Sequence, residues 1–237
     1  MSGPFHPTAH LYDRAYAHLD YPGHAAVVER IIRERNPGAG SLLDVACGTG
    51  KHLEIWQDRF RVEGVDVDPA MIEIARTRVP EVPLHVGDFT DFDLGRTFDA
   101  VTCLFSSIGY ADTGDRLDAA IAAMARHLAP GGVLVVEPWL MPDNIHPPWI
   151  RVLTVEADEW AMARTSRMQY DPDAGCSDME FTYLVTTPQG SETFTERHLM
   201  GVHPPERLVE AAGRAGLKAQ FDPVGTHLER GLLIGTR

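Results

Sequence analysis

An apolar run that ends in a glycine turn constrains this chain more than any other feature. Residues 42–46 are almost entirely apolar, which predicts a short buried strand. Gly48-Thr49-Gly50 follows at once, and Leu53, Trp56 and Phe60 then recur at helical spacing. Glycines let a ligand approach the backbone because no Cβ stands in the way, and the helix start offers free N–H groups to an anionic group. The pattern predicts a ligand-binding βα turn, although an ordinary turn that uses glycine has the same pattern.

Strands and helices alternate around this turn. An amphipathic helix is predicted at 24–35, and a second helix begins at Pro69 with Asp68 as its N-cap. Another helix carries Leu117 and Leu128 on one face. Further strands are predicted at 61–66, 83–86, 98–105 and 133–137, the last entered through a turn at 129–132. This alternation predicts βαβ units and an α/β fold with a doubly wound, mostly parallel sheet.

The alternation of predicted strands and helices stops after Glu137, where several prolines interrupt it. Antiparallel strands are predicted at 150–155, 160–170, 179–187 and 191–202, followed by a helix at 204–216 and two strands at 217–222 and 231–236. We therefore expect one domain, 1–237, whose sheet has seven strands and a small antiparallel β insertion after strand five. Its expected parts are an N-terminal arm (1–22), a ligand-binding core (24–137), a β insertion on the substrate side (138–203) and closing elements (204–237).

Composition limits the classes of partner. The net charge of −13 over 237 residues argues against nucleic acid and against an anionic membrane surface. No apolar run approaches the length of a membrane-spanning helix, and the N-terminus lacks the features of a signal peptide. Cys47, Cys103 and Cys176 lack metal-ligand spacing, so we expect reduced thiols, no metal site and a cytoplasmic protein. A small-molecule substrate is expected, and a homodimer is possible.

Two acids follow later strands of the predicted sheet, where ligands of such sheets bind. Asp66 ends the second strand and suits a ribose, since a carboxylate can accept hydrogen bonds from both hydroxyls. Asp88 follows the third strand and can accept from an adenine amino group. A solvated loop acid and a plain Gly-Asp turn remain the alternatives. A dinucleotide-binding turn has a third glycine where this sequence has Leu53, which disfavours that class.

Several segments together resemble the class I S-adenosylmethionine-dependent methyltransferases. They are Leu43–Gly50, Gly64–Asp66, Gly87–Phe89, Phe98–Val101 and Leu128–Gly132. The resemblance implies a Rossmann-like fold, S-adenosylmethionine as the methyl donor and S-adenosylhomocysteine as its product. It also implies a set of cofactor-binding residues. These are Tyr12, Tyr21, Asp44, Ala46, Cys47, Gly48, Gly50, His52, Leu53, Asp66, Val67, Met71, Gly87, Asp88, Phe89, Leu104, Phe105 and Ser106.

The chain also resembles, more closely, the TDP-3-amino-sugar N-methyltransferases of macrolide biosynthesis, which act on desosamine and mycaminose precursors. The shared text includes Leu11–Asp13, Asp20-Tyr21, Ser41–Gly50, Met71–Arg76, Ala100–Cys103, Phe105–Gly109, Glu137–Trp139 and Arg230–Leu232. The resemblance implies N-methylation of an amino sugar in secondary metabolism, with Tyr12 and Tyr21 closing over the cofactor. The implied substrate-binding residues are Phe5, Ser107, Tyr110, Trp139, Trp149 and Arg230.

The chain departs from that family on the substrate side. Tyr110 stands where the family has a histidine near the amine, and Trp139-Leu140 stands where it has paired tryptophans. Phe5 is the aromatic residue nearest to the position of an N-terminal tyrosine found in some members of the family. The insertion has a sequence of its own before Trp149. Because these differences lie where the acceptor should bind, a different amine or a hydroxyl remains possible.

Methyl transfer from a sulfonium requires alignment and exclusion of water more than a strong base. Tyr110, Glu137 and His198 are the candidates to orient or deprotonate the acceptor. A phenol has an ordinary pKa of about 10, so Tyr110 is expected to orient an amine rather than to remove its proton. A hydroxyl acceptor would need a firmer base, for which His198 is the first candidate. The alternatives are a small-molecule O-methyltransferase and a cofactor-binding protein without catalysis.

Overall fold

Two sheets organise the molecule, and the computed structural model describes residues 8–145, 149–226 and 230–237. The larger sheet has seven strands in the order β10-β11-β5-β4-β1-β2-β3. These strands are β1 Ser41–Val45, β2 Arg61–Asp66, β3 Leu84–Val86, β4 Phe98–Cys103, β5 Leu128–Val136, β10 Lys218–Asp222 and β11 Leu232–Thr236. β11 runs antiparallel to both β5 and β10, and the other pairings are parallel. This arrangement confirms the predicted doubly wound α/β fold.

Helices cover both faces of the seven-stranded sheet. They are α2 Tyr21–Arg35, α3 Lys51–Trp56, α4 Pro69–Arg78, α5 Gly114–Arg126 and α6 Pro205–Arg214. On one face, Leu117 of α5 and Leu208 of α6 share a buried core with β1, β4 and β5. On the other, Val28 of α2, Trp56 of α3 and Ile72 of α4 share a second core with the opposite side of the same strands. The chain order reverses between β1 and β4, so the ends of these two strands flank the expected ligand crevice.

Helix α2 begins at Tyr21, three residues earlier than the sequence pattern predicts. The Asp20 carboxylate accepts a hydrogen bond from the Gly23 amide at 2.9 Å, and Pro22 occupies the first turn. Both features stabilise a helix start, since the cap satisfies a free N–H and proline has none to lose. Helix α4 begins as predicted, at Pro69 after the Asp68 cap.

Two strand boundaries near the site differ from the prediction. Residues 129–132 were expected to form a turn, but β5 continues through them from Leu128 to Val136, with an irregular register beside Phe98 and Ala100. These four residues lie between the pairs that Leu128 and Val133 form with β4, and Gly131 has a φ of +76°, so the turn residues form a bulge within the strand. The Gly131 amide donates to the carbonyl of Arg237, just after β11, and the Arg237 amide donates to the Gly132 carbonyl. β4 ends at Cys103, two residues early, because Phe105 and Ser106 adopt positive φ angles.

The second sheet is antiparallel, as predicted for the insertion, with the order β6-β7-β8-β9. Its strands are β6 Trp149–Ala157, β7 Trp160–Asp171, β8 Cys176–Thr187 and β9 Gly190–Gly201. Its inner face shares a core with Leu11 and Ala15 of helix α1, Ala9–Ala15, and with Trp139. The arm from residue 8 onward is thus a short helix packed on the insertion.

Cys47 and Cys103 are buried as predicted, and all three cysteines are free thiols. Within residues 8–145, 149–226 and 230–237, no helix is both long and apolar enough to cross a membrane.

Candidate active site

The glycine turn after β1 uses its two glycines differently. Gly48 has a φ of +55°, and a Cβ built there would meet nothing within 4 Å, so the turn faces open space at this point. Gly50 has a φ of +77°, and its Cβ would lie 3.2 Å from Cβ of Ala75 on α4. Gly48 therefore keeps the ligand side of the turn open, while Gly50 permits close packing of the turn on α4. The contact with Ala75 places Gly50 on the structural side of the turn.

Two buried carboxylates support the turn. Asp66 accepts from the amides of Gly48 at 2.8 Å and Asp68 at 2.9 Å. Burial raises the pKa of Asp66 to about 6, although these amides partly oppose the shift. Asp44 accepts from the Thr102 hydroxyl at 2.8 Å. Burial raises the pKa of Asp44 to about 7, so a cation that binds beside it would favour its ionised form.

The N-terminal arm is tied to this turn through Asp13 of α1. Its carboxylate accepts from the Thr49 hydroxyl at 2.6 Å and pairs with Arg78 of α4, which also donates to the Thr49 carbonyl. Tyr12, the preceding residue, therefore lies over the crevice. These contacts hold the described part of the arm, from residue 8 onward, against the glycine turn.

The first cavity lies at the glycine turn. It is lined by Tyr12, Tyr21, Asp44, Ala46, Cys47, Gly48, Thr49, Lys51, His52, Leu104, Phe105 and Ser107. The Tyr21 hydroxyl is buried and has no hydrogen-bond partner among the described residues, which leaves a donor for a bound ligand. A carboxylate together with the aromatic rings of Tyr12, Tyr21 and Phe105 suits a cationic group. The donor set therefore fits a ligand that carries a cation and an anion at the same end.

The loop after β4 has a strained backbone beside this cavity. Phe105 has a φ of +49° and Ser106 a φ of +67°, values that cost free energy for residues other than glycine. The Phe105 amide donates to the Glu137 carboxylate at 2.8 Å, and the Ser106 hydroxyl donates to the Pro138 carbonyl at 2.9 Å. Arg230 also donates to the Ser106 hydroxyl. The residues that follow β5 therefore hold the strained loop in place.

Glu137 does not have the position expected of a base that touches the acceptor. Its side chain is fully buried behind the loop, where it also binds Nε2 of His24 at 3.2 Å and the Thr226 hydroxyl. Burial alone would raise the pKa of Glu137, but the hydrogen bonds with His24 and Thr226 and the positive charge of Arg230 lower it. We assign Glu137 to the support of the loop.

A histidine pair extends this support to the cofactor side. Nδ1 of His24 lies 3.0 Å from Nε2 of His52, and His52 lines the first cavity. Burial, followed by the proximity of His24, lowers the pKa of His52 well below its ordinary value. His52 is therefore neutral at physiological pH and links the cavity wall to Glu137 through His24.

A second cavity of about 320 Å³ lies between the loop, the arm and the inner face of the second sheet. This volume is in the range of small-molecule sites. The cavity is lined by Tyr12, Tyr16, His18, Leu19, Phe105, Ser106, Ser107, Tyr110, Trp139, Trp149, Leu153, Arg164, Met179, Phe181, Met200 and Arg230. Tyr12, Phe105 and Ser107 belong to both cavities, so the two sites share one wall.

Two arginines give the second cavity a positive end. Arg164 of β7 lies over the rings of Tyr16 and Phe181, at 5.1 Å and 4.5 Å, and its Nε has no hydrogen-bond partner among the described residues. Arg230 lies 5.0 Å from the ring of Trp139. Neither arginine forms an ion pair with a carboxylate within the part of the chain that the structure describes. Their charges are therefore available to an anionic group of a bound molecule.

Tyr110 and His198, predicted from separate parts of the sequence, meet at this cavity. The Tyr110 hydroxyl lies 2.8 Å from Nδ1 of His198, and His198 itself is fully buried. Tyr110 forms the cavity wall and His198 lies behind it. His198 therefore does not have the position expected of a base that contacts a hydroxyl acceptor directly.

The remaining predicted residues are more scattered. Leu53 and Met71 are buried, Leu53 within the apolar core, and Val67 is half-buried after β2. The amide of Gly87 donates to the carbonyl of Asp66, which places the predicted adenine end beside the predicted ribose acid. Asp88 and Phe89 follow there, with Asp88 accepting from Thr90 and Phe89 mostly buried. Their roles toward a cofactor stay predictions, and Phe5 lies outside the described residues.

Sequence reasoning missed several residues that build the site. Asp13, Arg78 and His24 support its walls, and Arg164 and Glu196 stand on the inner face of the second sheet. Glu196 had a usable signal, since it lies two residues before His198 in a predicted strand and so shares its face. The others are brought together only by long-range packing.

Comparisons with known proteins show which family this chain belongs to. The sequence profile of a family described as a methyltransferase domain matches residues 42–132. The dTDP-4-amino-2,3,4,6-tetradeoxy-D-glucose N,N-dimethyltransferase of Saccharopolyspora spinosa is 40% identical over 232 residues, which cover 97% of this chain and 92% of the relative. The dTDP-3-amino-3,6-dideoxy-alpha-D-glucopyranose N,N-dimethyltransferase of Streptomyces fradiae is 42% identical, with coverage of 96% and 89%.

A solved structure agrees with these sequences. It is the S-adenosylmethionine-bound amino pentose methyltransferase of Micromonospora echinaspora, which is involved in calicheamicin biosynthesis. It superposes with a TM-score of 0.86 at 40% identity and covers 96% of each chain.

Proposed function

Since the chain belongs to the family of the dTDP-amino-sugar N,N-dimethyltransferases, we propose that it methylates the amino group of a nucleotide-linked amino sugar. It is an S-adenosylmethionine-dependent methyltransferase of the class I fold. The names of the relatives make two successive methyl transfers the expected number. Biosynthesis of an antibiotic-type metabolite is the corresponding pathway class.

The shared wall of the two cavities is the observation that carries this proposal. Tyr12, Phe105 and Ser107 line both the cavity at the glycine turn and the cavity against the second sheet. A methyl donor in the first and an amine in the second would therefore meet at this wall. Bringing two reactants into such alignment supplies much of the barrier reduction that this type of transfer requires.

Bound S-adenosylmethionine supplies an activated methyl group on a sulfonium. The residues of the first cavity fit this molecule: Asp44 and the aromatic rings suit its cations, and the Tyr21 hydroxyl suits its carboxylate. Asp66 would hold the ribose hydroxyls through its carboxylate. Tyr12 and the arm exclude water from the methyl group, which prevents wasteful hydrolysis.

The arginines of the second cavity favour a nucleotide-linked acceptor. Arg164 and Arg230 both face this cavity, and a diphosphate is the anionic part of a dTDP-sugar. The aromatic side chains between them, including Trp139 and Tyr16, provide apolar surface for a sugar ring. A sugar without the nucleotide would leave both arginines without an anion.

Incubation with S-adenosylmethionine and three acceptors tests the proposal. The acceptors are a dTDP-linked amino sugar, the same amino sugar without nucleotide, and a dTDP-sugar with a hydroxyl in place of the amine. We expect mass spectrometry to show methyl gain on the first acceptor alone at low concentration. Methyl gain on the hydroxyl analogue alone would instead support O-methylation, which no feature of the described residues favours.

Replacement of Asp66 by alanine is expected to weaken cofactor binding about ten- to a hundredfold, because hydrogen bonds to charged groups contribute about 1.5–3 kcal/mol. Calorimetry with S-adenosylhomocysteine measures this change. Asp58→Ala, at an exposed position before β2, is the matched control and should leave the affinity unchanged. An unchanged dissociation constant in the folded Asp66→Ala protein would remove Asp66 from the ribose site.

Cofactor affinity is expected to depend on pH through Asp44. Its pKa is about 7 in the free protein because of burial, and a cationic ligand prefers the ionised carboxylate. Below pH 7 the proton must leave before binding, so each further pH unit should lower the affinity by up to about tenfold, and above pH 7 the affinity should level off. Calorimetric titrations with the cofactor at several pH values from about 5.5 to 8, on both sides of this pKa, check the profile. The Asp44→Asn protein should lose the dependence near pH 7, and an identical profile in both proteins would contradict the assignment.

Three expectations from the sequence stay as predictions. They are a cytoplasmic location, the absence of nucleic-acid and membrane partners, and a homodimer. Light scattering of the purified protein would decide the last of these.

A further inference from the structure

Three side chains form a line that leads away from the acceptor cavity. The Tyr110 hydroxyl lies 2.8 Å from Nδ1 of His198, and Nε2 of His198 lies 3.5 Å from Oε2 of Glu196. Glu196 and His198 are two residues apart on β9, so both point to the inner face of the sheet. Tyr110 arrives from the turn Ser107–Tyr110 after β4, which contacts β9. The line thus joins the loop beside the methyl donor to the second sheet.

The line is enclosed except at its Tyr110 end. His198 is fully buried and Glu196 is 5% exposed, whereas Tyr110 forms part of the cavity wall. Thr8, just before α1, donates a hydrogen bond to Oε1 of Glu196 and fixes the far end of the line. A proton that enters the line can therefore come only from a molecule in the cavity or from the arm side.

The hydrogen-bonding inventory assigns the protons. If Tyr110 donates its hydroxyl proton to Nδ1, the neutral imidazole carries its own proton on Nε2, which faces the Glu196 carboxylate. The tyrosine oxygen then presents its lone pairs to the cavity. The 3.5 Å distance between Nε2 of His198 and Oε2 of Glu196 is long for a hydrogen bond, and catalytic contacts are often long before the substrate binds and shorten in the complex.

The neighbouring groups favour passage of a proton over ionisation of the tyrosine. Burial, and then the nearby Tyr16, Glu196 and Tyr183, raise the pKa of Tyr110 well above its ordinary value. Arg164 binds the Tyr16 hydroxyl at 3.1 Å and lies over the ring of Tyr183, two of the groups near Tyr110. Tyr110 therefore stays protonated unless a proton enters as its own leaves.

We propose that Tyr110, His198 and Glu196 form a proton relay that removes the proton from the acceptor ammonium before each methyl transfer. The tyrosine oxygen accepts the ammonium proton, its own proton moves to Nδ1 of His198, and the electron pair of the broken N–H bond stays on the amine nitrogen. His198 becomes an imidazolium, which the Glu196 carboxylate stabilises. The proton returns to water through the opened cavity when the product leaves.

Tyr110 is the catalytic residue of this relay, and Glu196 is a positioning residue that acts through His198. The inference rests on the proposed function, because it requires an amine acceptor. It also explains why a tyrosine serves here although a phenol alone is a poor base. The hydroxyl conducts the proton, and the buried imidazole and carboxylate hold it.

Two acceptors of different basicity test the relay. One is the dTDP-linked amino sugar, which is an ammonium at neutral pH, and the other is its N-hydroxyamino analogue, which is largely unprotonated there. Glu196→Gln should lower kcat/KM for the first about ten- to a hundredfold, the loss of one hydrogen bond to a charged group. The kcat/KM for the N-hydroxyamino analogue should change by no more than about twofold. Glu180→Gln on the outer face of the same sheet is the control and should leave both acceptors unchanged.

Equal losses for the two acceptors, or no loss for either, would overturn the relay. Calorimetry with S-adenosylhomocysteine verifies that each variant is folded. Should Glu196→Gln fail to fold, Tyr110→Phe gives the same comparison, since it removes the entry of the relay and leaves Glu196 and His198 in place. Failure of the wild-type protein to methylate any amine while it binds the cofactor would instead overturn the proposed function.

Discussion

Replacement of Glu137 by alanine is expected to lower the free energy of unfolding by about 3–5 kcal/mol, because each buried group that loses its acceptor costs about 1–3 kcal/mol. The carboxylate is fully buried and forms hydrogen bonds with His24, the Phe105 amide and the Thr226 hydroxyl at the same time. Its loss leaves a buried histidine and a buried amide without their acceptor. For a domain of this size the midpoint of thermal unfolding should fall by roughly 6–20 °C.

The same substitution should reduce methyl transfer beyond its effect on stability. The strained backbone at Phe105 and Ser106 persists because the surroundings hold it, and this loop forms the wall between the two cavities. We expect activity to fall even at temperatures where the variant is fully folded. Calorimetry and kinetics at such a temperature separate the two effects.

Glu34→Ala is the control for this experiment. Glu34 forms an exposed pair with Arg30 on α2, and exposed pairs contribute at most about 1 kcal/mol. Glu137→Gln retains an acceptor for the Phe105 amide, so its unfolding midpoint should lie between those of Glu137→Ala and Glu34→Ala. An unfolding midpoint that Glu137→Ala leaves unchanged would mean that the loop is held by other contacts.

Conversion of both arginines of the acceptor cavity to methionine is expected to raise KM for the nucleotide-linked acceptor by a hundredfold or more. Each of Arg164 and Arg230 would lose hydrogen bonds to an anion, worth about 1.5–3 kcal/mol per charged contact. Methionine keeps much of the apolar stem that packs on Tyr16 and Trp139. The same variant should bind a sugar without nucleotide as weakly as the wild-type protein does.

Arg167→Met is the matched control for this pair. Arg167 lies three residues after Arg164 on β7 but points to solvent, where it pairs with Glu180. Its KM for the nucleotide-linked acceptor should equal that of the wild-type protein. Equal KM values for the double variant and this control would show that the arginines do not bind the nucleotide.

Local patterns predicted the frame of the fold well. The apolar run at 42–46, the glycine turn and the Asp68-Pro69 cap are short-range signals, and the structure places β1, α3 and α4 accordingly. The antiparallel insertion also follows from local alternation between turns. These elements depend on contacts between residues close in sequence, which a single sequence reveals.

The parts that failed depend on distant contacts. The early end of β4 arises because the Glu137 carboxylate, 32 residues later, binds the Phe105 amide. Pro130-Gly131-Gly132 forms a bulge within β5 instead of a turn before it, because Gly131 and Gly132 bond to Arg237 and Leu128 already pairs with β4. No local pattern signals either outcome, and this also explains why Glu137 was expected at the acceptor.

The candidate site shows the same division. Gly48, Asp44 and Tyr21 were predicted at the cofactor cavity and line its wall or floor. Tyr110 and His198 were predicted separately, but their 2.8 Å contact could not be, because 88 residues separate them. Arg164 had no distinguishing signal among the alternating residues of a polar strand.

Transfer of an isotope-labelled methyl group tests the central claim most directly. S-adenosylmethionine labelled at the methyl carbon is incubated with the protein and a dTDP-linked amino sugar, and the product is examined by NMR. We predict that the labelled methyl protons correlate with the sugar carbon that bears nitrogen, first with one methyl group and then with two. A labelled methyl on a sugar oxygen, or no transfer in a sample that binds the cofactor, would contradict the account.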